Sequence, residues 1–149
     1  MWSFVIITVT TNPSIDRTVG LSALVLGGVN RGDLTAIDPG GKGVNVSRAL
    51  AAYGADTHAV LVCGELGSHW FSAKLNSARI PHHVIKTEGI TRSNITVTEA
   101  NGSVTKINEP GFNLSKETIH EVLETLDGLQ LKGSWVVLAG RLNPGADVN

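Results

Sequence analysis

Three segments of this chain are apolar at consecutive positions rather than at alternate ones. They are residues 4–9, 59–62 and 135–139. Runs of this kind, rich in β-branched residues, are typical of strands covered on both faces, as in a parallel sheet. Helical patterns lie between them, at residues 44–53, 68–78 and 115–126, and the last carries apolar residues at i, i+3, i+4 and i+7. Alternating strands and helices predict an α/β sandwich with right-handed crossovers.

Two regions depart from that pattern because they alternate polar and apolar residues. Residues 94–98 and 103–107 do so on either side of Asn101-Gly102, a strong signal for a tight hairpin. Residues 18–25 and 29–37 are also strand-like and half polar. We therefore predict a small antiparallel sheet inserted into the parallel body, with its strands at approximately residues 16–37 and 91–108. Such a sheet often covers a site or pairs with a copy of itself.

The last residues, 142–147, have the pattern of a loop that follows a parallel strand and precedes a helix. Three core strands are few for a self-sufficient doubly wound sheet. The pattern thus indicates the front part of a larger domain.

Composition narrows the class of protein. The chain has 149 residues, is 42% hydrophobic and has a net charge of -1, so it carries no basic excess that would indicate a nucleic acid or a membrane as partner. No apolar run is long enough to span a bilayer. A single cysteine, Cys63, excludes an intrachain disulfide and predicts an inert core thiol in a cytoplasmic protein. The five histidines show no metal-ligand spacing.

The first candidate for a ligand-binding site is a glycine-rich turn, Gly40-Gly41-Lys42-Gly43, which leads into a predicted helix. A helix that starts in such a turn presents free N–H groups and a positive dipole end to an anion. Lys42 adds a full charge, and Asn45 adds an amide that can bind a hydroxyl. A P-loop needs Ser or Thr after Gly-Lys, and a dinucleotide fingerprint needs Gly-x-Gly-x-x-Gly after the first strand. Neither motif is present. The glycine turn, the helix start, Lys42 and Asn45 together predict a site for a small polar, phosphorylated molecule.

Five further side chains fit such a ligand, although each also fits a solvated strand face or turn. Asp16 follows the first strand, at the sheet edge where ligands of open α/β sheets bind. Arg92 and Asn94 begin the hairpin, and the planar fork of arginine suits phosphate. Arg31 and Lys106 are additional cations on the predicted lid strands.

Residues 40–64 resemble the first signature of the ribokinase-like (PfkB) carbohydrate kinases at each glycine, at Asn45 and at Ser47. Residues 8–16, 28–31, 91–94 and 108–111 are similar to the hexose-phosphate branch of that family. The resemblance implies a ribokinase-like three-layer α/β/α sandwich, incomplete here, with the inserted sheet as a lid. It also implies that residues 1–149 are the N-terminal part of a single kinase domain.

The activity that the resemblance implies is ATP-dependent phosphorylation of a sugar phosphate with Mg²⁺, from fructose 1-phosphate to fructose 1,6-bisphosphate. Tagatose 6-phosphate is an alternative acceptor, a nucleoside is a weaker one, and a truncated, non-catalytic sugar-phosphate binder is a rival. By position, Gly40, Gly41 and the side chains of Asp16, Lys42 and Asn45 would hold the sugar. Arg31 and Arg92, with Asn94 beside them and Lys106 as a weaker candidate, would approach its phosphate. The lid would also form a homodimer contact.

Two departures from the family pattern limit the resemblance. Arg141 stands where the family usually has a serine that faces the sugar. The Gly-Ala-Gly-Asp motif, which contains the catalytic base, is absent, so this chain supplies no catalytic residue and we expect it to be inactive alone. The main ATP and Mg²⁺ sites would likewise lie outside it.

Overall fold

A computed structural model describes residues 4–129 and 133–146, which form eight strands and three helices. In chain order these are β1 (Ile6–Thr10), β2 (Ser14–Leu21), β3 (Asp33–Gly40), α1 (Lys42–Ala52), β4 (Thr57–Gly64), α2 (Glu65–Ser77), β5 (His82–Thr87), β6 (Arg92–Glu99), β7 (Val104–Asn108), α3 (Lys116–Gly128) and β8 (Trp135–Leu138). None of the helices within the described ranges is long and apolar enough to cross a membrane.

The body of the molecule is a parallel sheet with the strand order β5-β4-β1-β8. Helices α1 and α2 pack on one face, where Phe71 and Leu75 meet Leu61 of β4. Helix α3 packs on the other face, where Val122 meets Val62. Successive residues of β4 point to opposite faces, so its continuous apolar run serves both cores. The predicted three-layer α/β/α architecture is confirmed.

Cys63 lies in this doubly covered strand and is fully buried, as predicted. Burial raises the pKa of its thiol to about 12, against a smaller opposite effect of the Thr91 side chain. A thiol with that pKa stays protonated at neutral pH and is a poor nucleophile.

A second sheet, here called the lid sheet, has the strand order β3-β2-β6-β7. The β2–β3 and β6–β7 pairs are antiparallel, and the turn at Asn101-Gly102 joins the latter pair as predicted. The central β2–β6 pair is parallel, so the sheet is mixed rather than antiparallel throughout. The reason is the path of the chain: β2 follows β1 and β6 follows β5, and these two body strands run in the same direction.

Two body strands differ from the sequence expectation. Strand β5 was not expected, because residues 82–87 are half polar; it lies at a sheet edge and buries only Ile85. Strand β8 was expected to be central and covered on both faces, but it lies at the other edge. Its Trp135 is 71% exposed and its Leu138 is 77% exposed, because no described element covers them.

Candidate functional site

The lid sheet begins where the body sheet ends. Strand β2 starts four residues after the last residue of β1, and β3 ends directly before α1, so the near end of the lid lies at the carboxyl edge of the body. Register places Asp16 opposite Asn94 on one side and opposite Asp38 on the other. Ser14 in turn pairs with Arg92 and with Gly40. In-register partners share a face of a sheet, so these side chains form one polar cluster.

The Asp16 carboxylate is held in place by two hydrogen bonds. Its Oδ1 accepts from Ser14 Oγ at 2.7 Å and from Asn94 Nδ2 at 2.9 Å. Both donors bind the same oxygen, which leaves Oδ2 without a hydrogen-bond partner in the described part of the chain. A Cβ at Gly40 would collide with this carboxylate, so the close approach requires glycine at that position. The arrangement positions one carboxylate oxygen to accept from a ligand hydroxyl.

Helix α1 begins beside this carboxylate. Its N-cap is Gly41, whose φ of 114° lies in the region that favours glycine, and no side chain caps the helix end. The first intrahelical bond runs from Asn45 N to Gly41 O at 2.9 Å, so earlier amides of the first turn have no helical acceptor. Lys42 and Asn45 are both exposed at this end of the helix. Amides, dipole and ammonium together favour an anionic or hydroxyl-bearing ligand.

Arg92 is only 8% exposed and is fixed by backbone and side-chain acceptors. Its Nε and Nη2 donate to Asn12 O at 3.3 and 3.2 Å, and its Nη1 donates to Asn94 Oδ1 at 3.2 Å and to Glu109 O at 3.4 Å. Burial lowers the pKa of Arg92, the charge of Arg141 lowers it further, and Asp16 opposes both effects. The guanidinium thus lies in a locally cationic environment.

Two buried asparagines that the sequence analysis did not select hold the loops around Arg92. Asn12 Nδ2 donates to Pro110 O at 3.0 Å and to Leu142 O at 3.3 Å. Asn143 Nδ2 donates to Thr11 O at 3.1 Å and to Phe112 O at 3.0 Å. These bonds join the loops that follow β1, β7 and β8. The signal in the sequence is a repeated dipeptide, since each asparagine precedes a proline in a loop after a parallel strand.

Two of the predicted site residues lie apart from the cluster. Arg31 is exposed at the far end of the lid, in a cleft lined by Gly20 and Glu99. Gly20 lies four residues along β2 from Asp16, or about 13 Å at the usual rise per residue. Lys106 is exposed on the edge strand β7 and pairs with Thr96, one step along the same face from Asn94. Their roles in ligand binding remain predictions.

The described residues do not assemble a metal site. Within 4–129 and 133–146, no three His, Cys, Asp or Glu side chains converge in a way that would hold a metal ion. The donor set that Mg²⁺ prefers, several carboxylate and carbonyl oxygens, is therefore not supplied here by such a group.

The parallel body, the mixed lid and the polar cluster between them define an α/β protein with a lid over a site for a hydroxyl-bearing anion. The chain belongs to the pfkB family carbohydrate kinases, since the model of that family matches residues 9–146.

Known proteins of the family show what the chain is similar to. It is 38% identical, over 140 residues, to a 1-phosphofructokinase from Xanthomonas campestris pv. campestris, a match that covers 93% of this chain and 44% of the relative. The chain thus spans less than half the length of that curated relative.

Solved structures agree with this family and fold. Phosphofructokinase-2 from Escherichia coli in complex with fructose-6-phosphate superposes with a TM-score of 0.87 at 26% identity, over 95% of this chain and 47% of that one. The tetrameric inhibited form of the same enzyme gives a TM-score of 0.86 at 27% identity, over 98% of this chain and 48% of that one. The resemblance stated from the sequence is confirmed at the level of family and fold.

Proposed function

We propose that this chain forms the sugar-phosphate-binding part of an ATP-dependent phosphotransferase, with fructose 1-phosphate as the acceptor and fructose 1,6-bisphosphate as the product. The observation that carries the proposal is the Asp16 carboxylate, fixed by Ser14 and Asn94 beside the open end of α1. Such a carboxylate accepts hydrogen bonds from sugar hydroxyls, while the neighbouring cations attract phosphate. Membership of the pfkB family supports the reaction class, and the 1-phosphofructokinase relative supports the acceptor.

We expect the carboxylate, amides and cations of the cluster to bind different parts of the substrate. Asp16 would orient the sugar through its hydroxyls, and the amides of Gly41 and the first turn of α1 would bind its oxygens, with Asn45 beside them. Lys42 and Arg92 would supply positive charge to the phosphate. Phosphoryl transfer depends mostly on positioning and on charge stabilisation, which is the contribution this cluster can make. ATP and Mg²⁺ would bring the transferred phosphoryl group and its charge neutralisation, at sites that we place outside the described residues.

The proposal is tested by Asp16→Asn in a binding experiment. The amide oxygen can keep the bonds from Ser14 and Asn94, so the fold is retained while the negative charge is lost. A hydrogen bond to a charged group contributes about 1.5–3 kcal/mol, so the Kd for fructose 1-phosphate should rise about tenfold or more. Isothermal titration calorimetry measures it.

The matched control is Asp33→Asn, the same change at an exposed position at the far end of the lid, opposite Gly20. We expect the control to leave the Kd unchanged. Equal affinity of the wild type and Asp16→Asn for fructose 1-phosphate would remove Asp16 from the site and contradict the proposal.

A second candidate function is binding of a sugar phosphate without turnover. It is favoured by the hydrogen bonds that Asp16 accepts from Ser14 and Asn94, which fix this carboxylate as a binding group. Assays of ADP release with fructose 1-phosphate and ATP distinguish the two functions: we expect no release from the 149-residue chain, and turnover would contradict the second candidate.

We also propose a homodimer through the lid and a cytoplasmic location. The face of the lid sheet opposite Asp16 carries Ile37, Ile95 and Ile107 in one row across the strands, with the exposed Arg17 between Ile37 and Ile95. Ile107 is 56% exposed, so this row offers apolar surface to a second copy. The tetrameric form known for Escherichia coli phosphofructokinase-2 shows that a similar protein assembles. A single buried thiol suits a reducing compartment.

A further inference from the structure

Arg92 has little hydrogen-bonding capacity left for a ligand. A guanidinium carries five N–H groups, and an arginine that binds phosphate usually does so through two parallel N–H bonds. Four of the five are committed here: two to Asn12 O, one to Asn94 Oδ1 and one to Glu109 O. Only one N–H, on Nη2, remains. Arg92 can therefore contribute charge and a single bond to a phosphate group, but not a bidentate grip.

Arg141 has the capacity that Arg92 lacks. It is exposed in the loop that follows β8, and within the described ranges it makes no hydrogen bond or ion pair, so all five of its donors are free. Together with Thr11 and Leu138 it lines a cleft of about 210 Å³ at the carboxyl ends of β1 and β8. This is the edge of the sheet at which ligands of open α/β folds bind.

Hydrogen bonds hold the loop of Arg141 next to Asn12, whose carbonyl accepts from Arg92. Asn12 connects them, because its carbonyl accepts from Arg92 while its side chain donates to Leu142 O, the residue after Arg141. Asn143 fastens the same loop from the other side by donating to Thr11 O. The two arginines are close enough for the charge of Arg141 to lower the pKa of Arg92.

This pair of guanidiniums lacks a carboxylate partner. No ion pair of either arginine occurs in the described part of the chain, and the Oδ1 of Asp16, the nearby acid, is already bonded to Ser14 and Asn94. Asp16 compensates part of this charge without forming an ion pair, and a bound dianion would relieve the remaining repulsion between the two arginines.

We propose that Arg141 is a phosphate-binding residue of this chain, which grips the phosphate of the sugar-phosphate substrate with its free fork while Arg92 supplies a second, fixed positive charge. The inference rests on the proposed function, since it assigns a residue to the same substrate. It also gives the departure from the family pattern a function: where the resemblance implies a serine that faces the sugar, this chain has a guanidinium suited to phosphate. The site would then select phosphorylated over neutral sugars.

Calorimetric titration of the chain and its variants with fructose 1-phosphate, fructose and inorganic phosphate tests the inference. Arg141→Ser should raise the Kd for fructose 1-phosphate about tenfold or more, because charge-assisted bidentate bonds are lost. Arg141→Lys should retain part of the affinity, since it keeps the positive charge but loses the planar guanidinium that can donate two parallel hydrogen bonds. The control Arg17→Ser removes the same charge from an exposed position on the opposite face of β2 and should leave the Kd unchanged.

A merely structural role would be visible in the melting temperature. Arg141 has no protein partner, so Arg141→Ser should lose affinity for phosphate without lowering the melting temperature, and a lower melting temperature would count against the inference. Binding of fructose 1-phosphate that is equally tight in wild type and Arg141→Ser would overturn it and leave the proposed function intact. A folded wild type that binds none of the three probes would overturn both.

Discussion

At the scale of residues, the polar side chains around the candidate site divide into those that hold the loops in place and those that are free to bind. Asn12 is 2% exposed, and its side-chain Nδ2 and backbone carbonyl are engaged with three other segments. Asp16 keeps one oxygen without a partner in the described structure, and Lys42 is exposed. The bonded groups of the first kind cannot also bind a ligand without breaking protein contacts. We therefore propose that Asp16, Lys42 and, by our inference, Arg141 bind the ligand.

A histidine pair on the body sheet introduces a separate dependence on pH. His58 Nε2 and His83 Nδ1 lie 2.8 Å apart, and their rings stack with centroids 4.9 Å apart. At least one of the two nitrogens must carry no proton for this contact to form. The pKa of His58 is lowered by burial and then by the charges of His83 and His82.

We expect this pair to make the folded state less stable as the pH falls. The folded pKa of His58 is below the ordinary value of 6.5, so below about pH 6.5 the unfolded state takes up a proton first and unfolding is favoured. The melting temperature should fall from about pH 7 to about pH 5, and His58→Gln should flatten that decline. The control is His120→Gln, at an exposed residue beside Glu124. An equal decline in wild type and His58→Gln would show that His58 is not responsible.

At the scale of elements, the sequence predicts a strand best when that strand is central and buried on both faces. Strand β4 is buried from Ala59 to Gly64, so its apolar run correctly indicates a central strand. Strand β5 was missed because an edge strand needs few apolar residues. Strand β8 has the same pattern as β4, yet it lies at an edge, because strand order depends on contacts between distant segments that no local pattern encodes.

The candidate site could likewise be predicted only in part, because some of its contacts join distant segments of the chain. The glycine turn, Asp16 and Arg92 could be selected because their residue types and positions after strands point to ligand chemistry. The clamp formed by Asn12 and Asn143 could not, since it depends on three loops meeting in space. The distance of Arg31 from Asp16 depends on the register of β2 and β3, which the sequence alone does not specify.

One contact between elements gives a test of how α1 is held on the sheet. Ser47 Oγ lies 2.8 Å from Thr8 Oγ1 and 2.9 Å from Thr57 Oγ1, and Thr57 Oγ1 donates to Ile6 O at 2.9 Å. Ser47 is fully buried, so this chain of hydroxyls joins α1 to β1 and β4 in the core. The serine of the family signature is thus a packing residue in this structure.

Ser47→Ala should therefore destabilise the protein, because it leaves two buried hydroxyls short of a partner. The expected loss is about 1–3 kcal/mol in the free energy of unfolding, measured by urea denaturation. Ser77→Ala serves as the control, since its hydroxyl makes only an exposed bond to Ala73 O within α2. A loss no larger in Ser47→Ala than in Ser77→Ala would mean that the hydroxyl chain contributes nothing.

At the scale of the whole molecule, the described chain presents two apolar surfaces that a compact domain would cover. One is the β8 edge, with Trp135 and Leu138 exposed, where the unpaired side of the strand can also accept another strand. The other is the lid row, formed by Ile37, Ile95 and Ile107 with Arg17 between the first two. Exposed apolar area of this kind drives association, and the two surfaces lead to different kinds of complex. The lid row would give the closed dimer that we propose, whereas a strand edge would permit open-ended assembly.

We expect the 149-residue chain to associate in solution, and single lysine substitutions should separate the two routes. Ile107→Lys places a charge in the lid row and should dissociate the proposed dimer. Leu138→Lys charges the β8 edge and should suppress only larger assemblies. Tyr53→Lys, at a side chain 91% exposed beyond the end of α1, should change neither. Light scattering after size exclusion gives the masses. A wild-type chain that runs as one copy and melts cooperatively would show that neither surface drives association, and an unchanged dimer in Ile107→Lys would remove the lid from the contact.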